Sequence, residues 1–167
     1  MHEAVRDFLR RLKSAMPERF IRAKVLEVGS YNVNGSAREF FDRCDYLGCD
    51  WRSGPGVDVI GFAHQLGFAD GSFDVVVSTE CLEHDIHWRD TLNAMRRMLR
   101  RDGLLIVTVA AFARKPHELS CAVNGYYRNL MPEDLLPFLG DAVIYEESRL
   151  VNDIHFACIK GRSLKKA

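Results

Sequence analysis

The chain has 167 residues, 47% hydrophobic and 28% charged, with Lys plus Arg and Asp plus Glu balanced at 23 each. That length suits a single domain, 1–167, with a buried core. The charge balance gives no support to a broadly nucleic-acid-binding surface, and no segment approaches the roughly 20 apolar residues that span a bilayer.

Residues 3–16 carry Val5, Phe8, Leu9, Leu12 and Met16 on one face, with Arg6, Arg10, Arg11 and Lys13 elsewhere. This predicts an amphipathic helix that Pro17 ends, within an N-terminal segment 1–20 ahead of a core fold at 22–160. A basic amphipathic helix suits a membrane surface; packing against the sheet edge as a lead-in helix is the preferred reading. The N-terminus lacks a signal peptide's apolar core, and the five cysteines (44, 49, 81, 121 and 158) form no C-x-x-C pair. Reduced thiols in a cytoplasmic protein are expected.

The chain is organised around Val25-Leu26-Glu27-Val28-Gly29-Ser30-Tyr31-Asn32-Val33-Asn34-Gly35. An apolar run ends in a carboxylate, a glycine and a small polar loop, and Ala37, Phe40, Phe41 and Cys44 then fall at helical spacing. A strand–loop–helix unit of this kind aims unpaired N–H groups and a helix dipole at an anionic or polar ligand, such as an adenosine-containing cofactor. Gly29 would let that ligand approach the backbone. The dinucleotide pattern G-x-G-x-x-G is not satisfied, which disfavours a nicotinamide-dependent oxidoreductase.

Tyr46–Asp50 reads as a second strand ending in a carboxylate 21 residues beyond Gly29. Doubly wound nucleotide folds place a ribose-binding acid at that distance, so Asp50 is assigned the ribose hydroxyls, against a plain turn residue as the alternative. Trp51 beside it is placed to cover an adenine face. Val57–Ile60 gives a third strand, followed by Gly61, Phe62, Ala63 and His64. After the turn Asp70-Gly71-Ser72, the run Phe73–Ser78 is apolar enough for a central strand buried on both faces. Thr79-Glu80-Cys81-Leu82-Glu83-His84 follows it.

A helix is predicted over His87–Arg100, with Trp88, Leu92, Met95 and Leu99 inward and Arg89, Arg96, Arg97 and Arg100 outward. Asp102-Gly103 stops it before a strand at Leu104–Val109. Residues 111–131 have no clear period and are long enough to be a lid or binding loop. Pro132 opens a short helix that Gly140 closes. Ala142–Tyr145 and Ile154–Ile159 form a final hairpin, and a basic tail runs from Arg162 to Ala167. Seven strands, the first five alternating with helices, make an α/β layered sheet.

These segments, in order and at these distances, resemble the class I S-adenosylmethionine-dependent methyltransferases, specifically the methyltransferase-11-like group, over residues 22–160. The resemblance is carried by Val25–Gly29, Asp50, the run Asp70–Val76, Glu80-Cys81-Leu82-Glu83-His84 and Leu99-Arg100-Arg101-Asp102-Gly103. It implies a Rossmann-like seven-stranded sheet, order 3-2-1-4-5-7-6 with strand 7 antiparallel and helices on both faces, and S-adenosyl-L-methionine as cofactor. It further implies that Gly29, Ser30 and Tyr31 meet the methionine end, with Glu27 toward the ammonium. Ala63 and its neighbours would frame the adenine, and Thr79 and Glu80 would line the floor near the transferring methyl. Two departures stand out. Only the first glycine of the loop is kept before Gly35, and Phe62, with His64 nearby, occupies the place of an acid that reads the adenine amino group in many relatives.

Methyl transfer from a sulfonium is an in-line displacement, so positioning and removal of a proton from the nucleophile carry it, with no metal required. The candidate bases are His84, His87, His117 and Glu118, with His84 first; a loop-holding hydrogen bond is its alternative role. Glu83-His84-Asp85-Ile86-His87 lacks a third ligand at a matching spacing, so no metal is assigned. Tyr126, Tyr127 and Arg128 read as a substrate wall or as ordinary packing under a loop; Arg128 would suit a carboxylate or phosphate. No Asn/Asp-Pro-Pro-Tyr and no Pro-Cys is present, which disfavours nucleic-acid adenine, glutamine and cytosine C5 methylation. The expected protein is a monomer or homodimer moving a methyl to an O, N or C nucleophile of a small molecule. An RNA or protein methyltransferase working with a partner, or a non-catalytic cofactor-binding module, stands as the alternative.

Overall fold

A computed structural model describes residues 1–117, 122–138, 142–148 and 151–161. Glu118, Gly140 and the tail Arg162–Ala167 lie outside the described residues. Seven strands form one sheet: β1 (Lys24–Val28), β2 (Asp45–Asp50), β3 (Val59–Ile60), β4 (Phe73–Thr79), β5 (Leu99–Ala110), β6 (Ala142–Ser148) and β7 (Asp153–Ile159). Their order is β3-β2-β1-β4-β5-β7-β6. Pairing is parallel from β3 through β5, and β7 runs antiparallel to both β5 and β6. This is the topology that the resemblance implied.

The central strands are mostly apolar because both faces are covered. Along β4, Val76 points to one layer while Val75 and Val77 point to the other; on β5 Leu105 and Val107 alternate in the same way with Leu104 and Ile106. Helix α1 (Glu3–Ala15) covers the second layer, burying Val5, Phe8, Leu9 and Leu12 with Val25, Val75, Val77 and Ile106. The expected edge position is thus corrected: α1 lies across the middle of a sheet face. Helix α2 (Trp88–Met98) covers the opposite face with Trp88, Leu92, Met95 and Met98, and the short α3 (Pro132–Leu135) adds Leu135 there.

The helix expected after the glycine loop does not form. Ser36 caps a single 3-10 turn, Ala37–Phe40, reciprocated by Glu39. The chain then straightens: Asp42 N donates to Phe20 O (2.8 Å), Arg22 N donates to Asp42 O (3.1 Å), and Phe41 stacks on Phe20 at 4.7 Å. With α1 already on that face, the apolar spacing of Ala37, Phe40 and Phe41 is satisfied by packing under α1 rather than by a helix of its own. The regular alternation of strands and helices is therefore broken. Strand β5 also begins earlier than expected, since Leu99 already pairs with Phe73 before a register shift that absorbs residues 100–103.

Arg89, Arg97 and Arg100 of the α2 region pair with Asp134 (3.2 Å), Asp70 (2.6 Å) and Asp74 (2.7 Å), and Arg96 donates to Phe138 O (2.7 Å). The arginine row is committed to contacts within the chain. Among the described residues no helix is long and apolar enough to cross a membrane.

Candidate active site

Strands β2 and β3 extend from β1 in one direction and β5 from β4 in the other, so the sheet has its switch point between β1 and β4. In open α/β sheets a crevice opens at such a point, outside the carboxyl ends of the strands. A cavity lies there. Gly29, Ser30 and Tyr31 line it after β1, Asp50 and Trp51 at the end of β2, Gly61, Phe62 and Ala63 after β3, and Thr79, Glu80 and Cys81 after β4.

Glu27 is the buried anchor of this wall. It accepts hydrogen bonds from Ser36 Oγ (3.0 Å), Tyr46 Oη (3.0 Å) and the Ala37 amide (3.3 Å). Burial pushes its pKa up, and those three donors oppose the shift. The carboxylate thereby ties β1, β2 and the loop end together while still lining the cavity.

Gly29 has φ of 78°, and a Cβ there would come closer than 3.0 Å to both side-chain atoms of Cys81. The glycine is required by the neighbouring β4 loop, a cause different from the ligand approach expected from sequence. Its amide and that of Ser30 both donate to Cys49 O, at 2.9 and 3.1 Å. Asp50 holds the loops on either side: Oδ2 accepts from the Tyr31 amide and Oδ1 from the Arg52 amide, each at 3.2 Å. The Trp51 amide bears on the same carboxylate, which has about four lone-pair sites, so about one remains for a ligand facing it. Burial raises the Asp50 pKa against these bonds.

Phe62 packs in an aromatic group with His64 (5.6 Å) and His87 (5.9 Å). His64 itself turns away from the cavity lining, its Nδ1 lying 3.2 Å from Thr91 Oγ1, which donates to Asp85 (2.5 Å). At the other end His84, 6% exposed, lines the cavity with His117. Their rings are 5.3 Å apart, and Tyr127 packs on both, at 5.3 and 5.5 Å. Burial, with His117 beside it, lowers the His84 pKa to about 4. The imidazole is neutral at physiological pH.

Of the three residues read as a substrate wall, only Tyr127 reaches this group, from behind the two histidines. Arg128 Nη2 donates to both carboxylate oxygens of Asp134 (2.8 and 2.9 Å), and the Arg128 backbone amide donates to Glu83 O. Tyr126 is half-buried and, like Arg128, is not part of the lining. The segment 122–131 folds back onto the sheet, with Leu130 N donating to Ala110 O.

One cluster at the cavity carries no local sequence signal. Arg114 reaches Glu80 (2.5 Å) and fully buried Asp153, and His2 lies 2.7 Å from Asp153 and 3.5 Å from Glu80. Hydrogen bonds to Asp153 and Glu80 raise the His2 pKa to about 9, so this imidazole is charged. Four segments far apart in sequence meet there, and only the tertiary fold joins them.

Sheet order, antiparallel β7 and crevice are those of the class I methyltransferase fold. Residues 37–107 match the family model described as a methyltransferase domain. No curated protein sequence matches the chain. Among solved structures, the Burkholderia thailandensis 1,6-didemethyltoxoflavin-N1-methyltransferase, with 1,6-didemethyltoxoflavin and S-adenosylhomocysteine bound, superposes at a TM-score of 0.68 and 15% identity. The alignment covers 92% of this chain and 78% of that one. A putative Haloferax volcanii methyltransferase in complex with the Trm112 activator gives 0.65 and 12%, over 91% and 95% of the two chains. The [4+2]-cyclase SpnF gives 0.63 and 13%, over 90% and 80%. These superpositions show the class I methyltransferase fold, and the match of residues 37–107 to the methyltransferase domain agrees with it.

Proposed function

We propose that the cavity binds S-adenosylmethionine in an extended pose and delivers its methyl to a small-molecule nucleophile at the His84–His117 end. The observation that carries this is convergence. Residues from the carboxyl ends of β1, β2, β3 and β4 meet in one crevice, and Asp50 stands at the end of β2 with acceptor capacity to spare. Asp50 takes the ribose hydroxyls, Trp51, Phe62 and Ala63 border the adenine, and Glu27, Gly29, Ser30 and Tyr31 face the methionine end. Thr79 and Glu80 form the floor beneath the sulfonium.

The protein's contribution to an in-line displacement is alignment, plus a group that takes the nucleophile's proton. Neutral His84 is that group, and the Tyr127 ring against it fixes its plane. A small acceptor is favoured over RNA by the internal pairing of the α2 arginines, which leaves that face little charge to offer phosphates. The structurally similar Burkholderia thailandensis methyltransferase holds 1,6-didemethyltoxoflavin, a small molecule, which supports the same reading.

The test is transfer of label from methyl-labelled S-adenosylmethionine to three separate pools: a cytosolic metabolite extract, total RNA and denatured protein. Label in the metabolite fraction is expected. Label confined to RNA or protein would overturn the small-molecule assignment, and none in any pool despite cofactor binding would argue for a non-catalytic module.

A further inference from the structure

Two groups of carboxylates and histidines border the cavity, and they differ in how their charge is balanced. His2, Glu80 and Asp153 already enclose the Arg114 guanidinium. Glu83, His84 and His117 enclose nothing comparable among the described residues, although one donor atom from each lies within 4.8 Å of the others.

We propose that Glu83, His84 and His117 form a binding site for a divalent first-row transition-metal ion on the wall of the cavity. Sequence spacing offered only two adjacent ligands on the turn Leu82–His84; the fold supplies the third from beyond β5. The independent sign is unfinished hydrogen bonding. Glu83 is 0% exposed; its Oε1 accepts from the Ala110 amide at 3.3 Å, and its own backbone amide also bears on the carboxylate. Its Oε2 and the Nδ1 of buried His84 have none among the described residues. Buried polar atoms are normally paired, and orphans in a native site call for an unseen partner.

One carboxylate and two imidazoles form a donor set suited to Mn, Fe, Co or Zn in the divalent state, and poorly suited to Mg or Ca, which prefer oxygen. Ligands about 2.1 Å from one ion stand roughly 3 to 4 Å from each other, so closing the site takes a small rotation. His117, the half-buried member, can supply it. Because His84 and His117 line the cavity, the ion's open positions would border the acceptor. With an ion bound, His84 would serve as a ligand rather than a base, and the ion would lower the pKa of a coordinated acceptor, whose proton would pass to solvent water.

The inference is tested without cofactor or acceptor, so it stands or falls apart from the methyl-transfer reading. Chelator-stripped protein is titrated with Co2+, followed by visible ligand-field absorption and by calorimetry, for wild type, His117→Ala and Glu83→Gln. One equivalent of Co2+ with intensified absorption, displaced by Zn2+, is expected. Affinity should fall on the order of 10-fold or more in each variant, as loss of a direct ligand should cost at least what loss of an outer partner does. Circular dichroism and thermal melting check each variant's fold; should Glu83→Gln fail to fold, His117→Ala alone decides. Folded protein that does not bind Co2+, or Co2+ binding untouched by His117→Ala, would overturn the proposal and leave Glu83 a neutral buried acid.

Discussion

Replacing Gly29 with alanine separates two reasons for a glycine in this loop. The backbone there sits at φ of 78°, and the added Cβ would meet both side-chain atoms of Cys81. A left-handed conformation costs an L-residue about 1–2 kcal/mol, and overpacking a close-packed site about 1–3 kcal/mol. The sum is roughly 2–5 kcal/mol. For a chain of this size each kcal/mol lowers the melting temperature by about 2–4 °C, which puts Gly29→Ala near 10 °C below wild type. The overpacking share is tied to Cys81, so a cycle with Cys81→Gly should return a coupling of about 1–3 kcal/mol in the double variant. The assay is chemical denaturation without cofactor for all four proteins. Additivity within about 0.5 kcal/mol would refute the packing argument. An unchanged melting temperature with lost S-adenosylhomocysteine binding would mean the glycine serves the ligand instead.

Other consequences are equally direct. His2 has its pKa raised from 6.5 to about 9 on folding, so its stabilising contribution is complete below pH 6.5 and disappears as pH rises through 9. Denaturation midpoints of wild type should therefore fall from pH 6.5 to 9.5 relative to His2→Asn, and parallel curves would refute the pairing. Glu27→Gln leaves one of three buried donors unmatched and should cost about 1–3 kcal/mol in urea unfolding; a neutral result would remove Glu27 as the anchor. Phe8→Ala should cost about 3–5 kcal/mol, because Phe8 is fully buried against the sheet and the His155 ring; a loss below 1 kcal/mol would mean α1 packs loosely.

The parts of the fold legible in the sequence were those written locally. The β4 run needs apolar side chains on both faces, and the β1 run ends where a polar loop must begin. The distance from Gly29 to Asp50 is set by one pass out and back through the sheet. The helix expected after the loop was a misreading with a physical cause: Ala37, Phe40 and Phe41 are apolar because α1 lies on them. Periodicity reports burial, and a neighbour's helix can supply the burial. Arg114, His2 and Asp153 were invisible for another reason. Each is an ordinary charged residue in its own segment, and its role exists only where β5, β7 and the start of α1 converge. The same holds for His117, which sequence offered as a candidate base and which the fold brings to Glu83 and His84.

The measurement that bears most directly on the account is calorimetric titration with S-adenosylhomocysteine, with Asp50→Ala as control. Asp50 lines the cavity with acceptor capacity beyond its backbone donors, and a hydrogen bond to a charged partner is worth about 1.5–3 kcal/mol. Micromolar binding is predicted, weakened at least about 10-fold in Asp50→Ala while the circular dichroism spectrum is kept. Absence of binding at millimolar ligand, or binding indifferent to Asp50, would contradict the cofactor site described here.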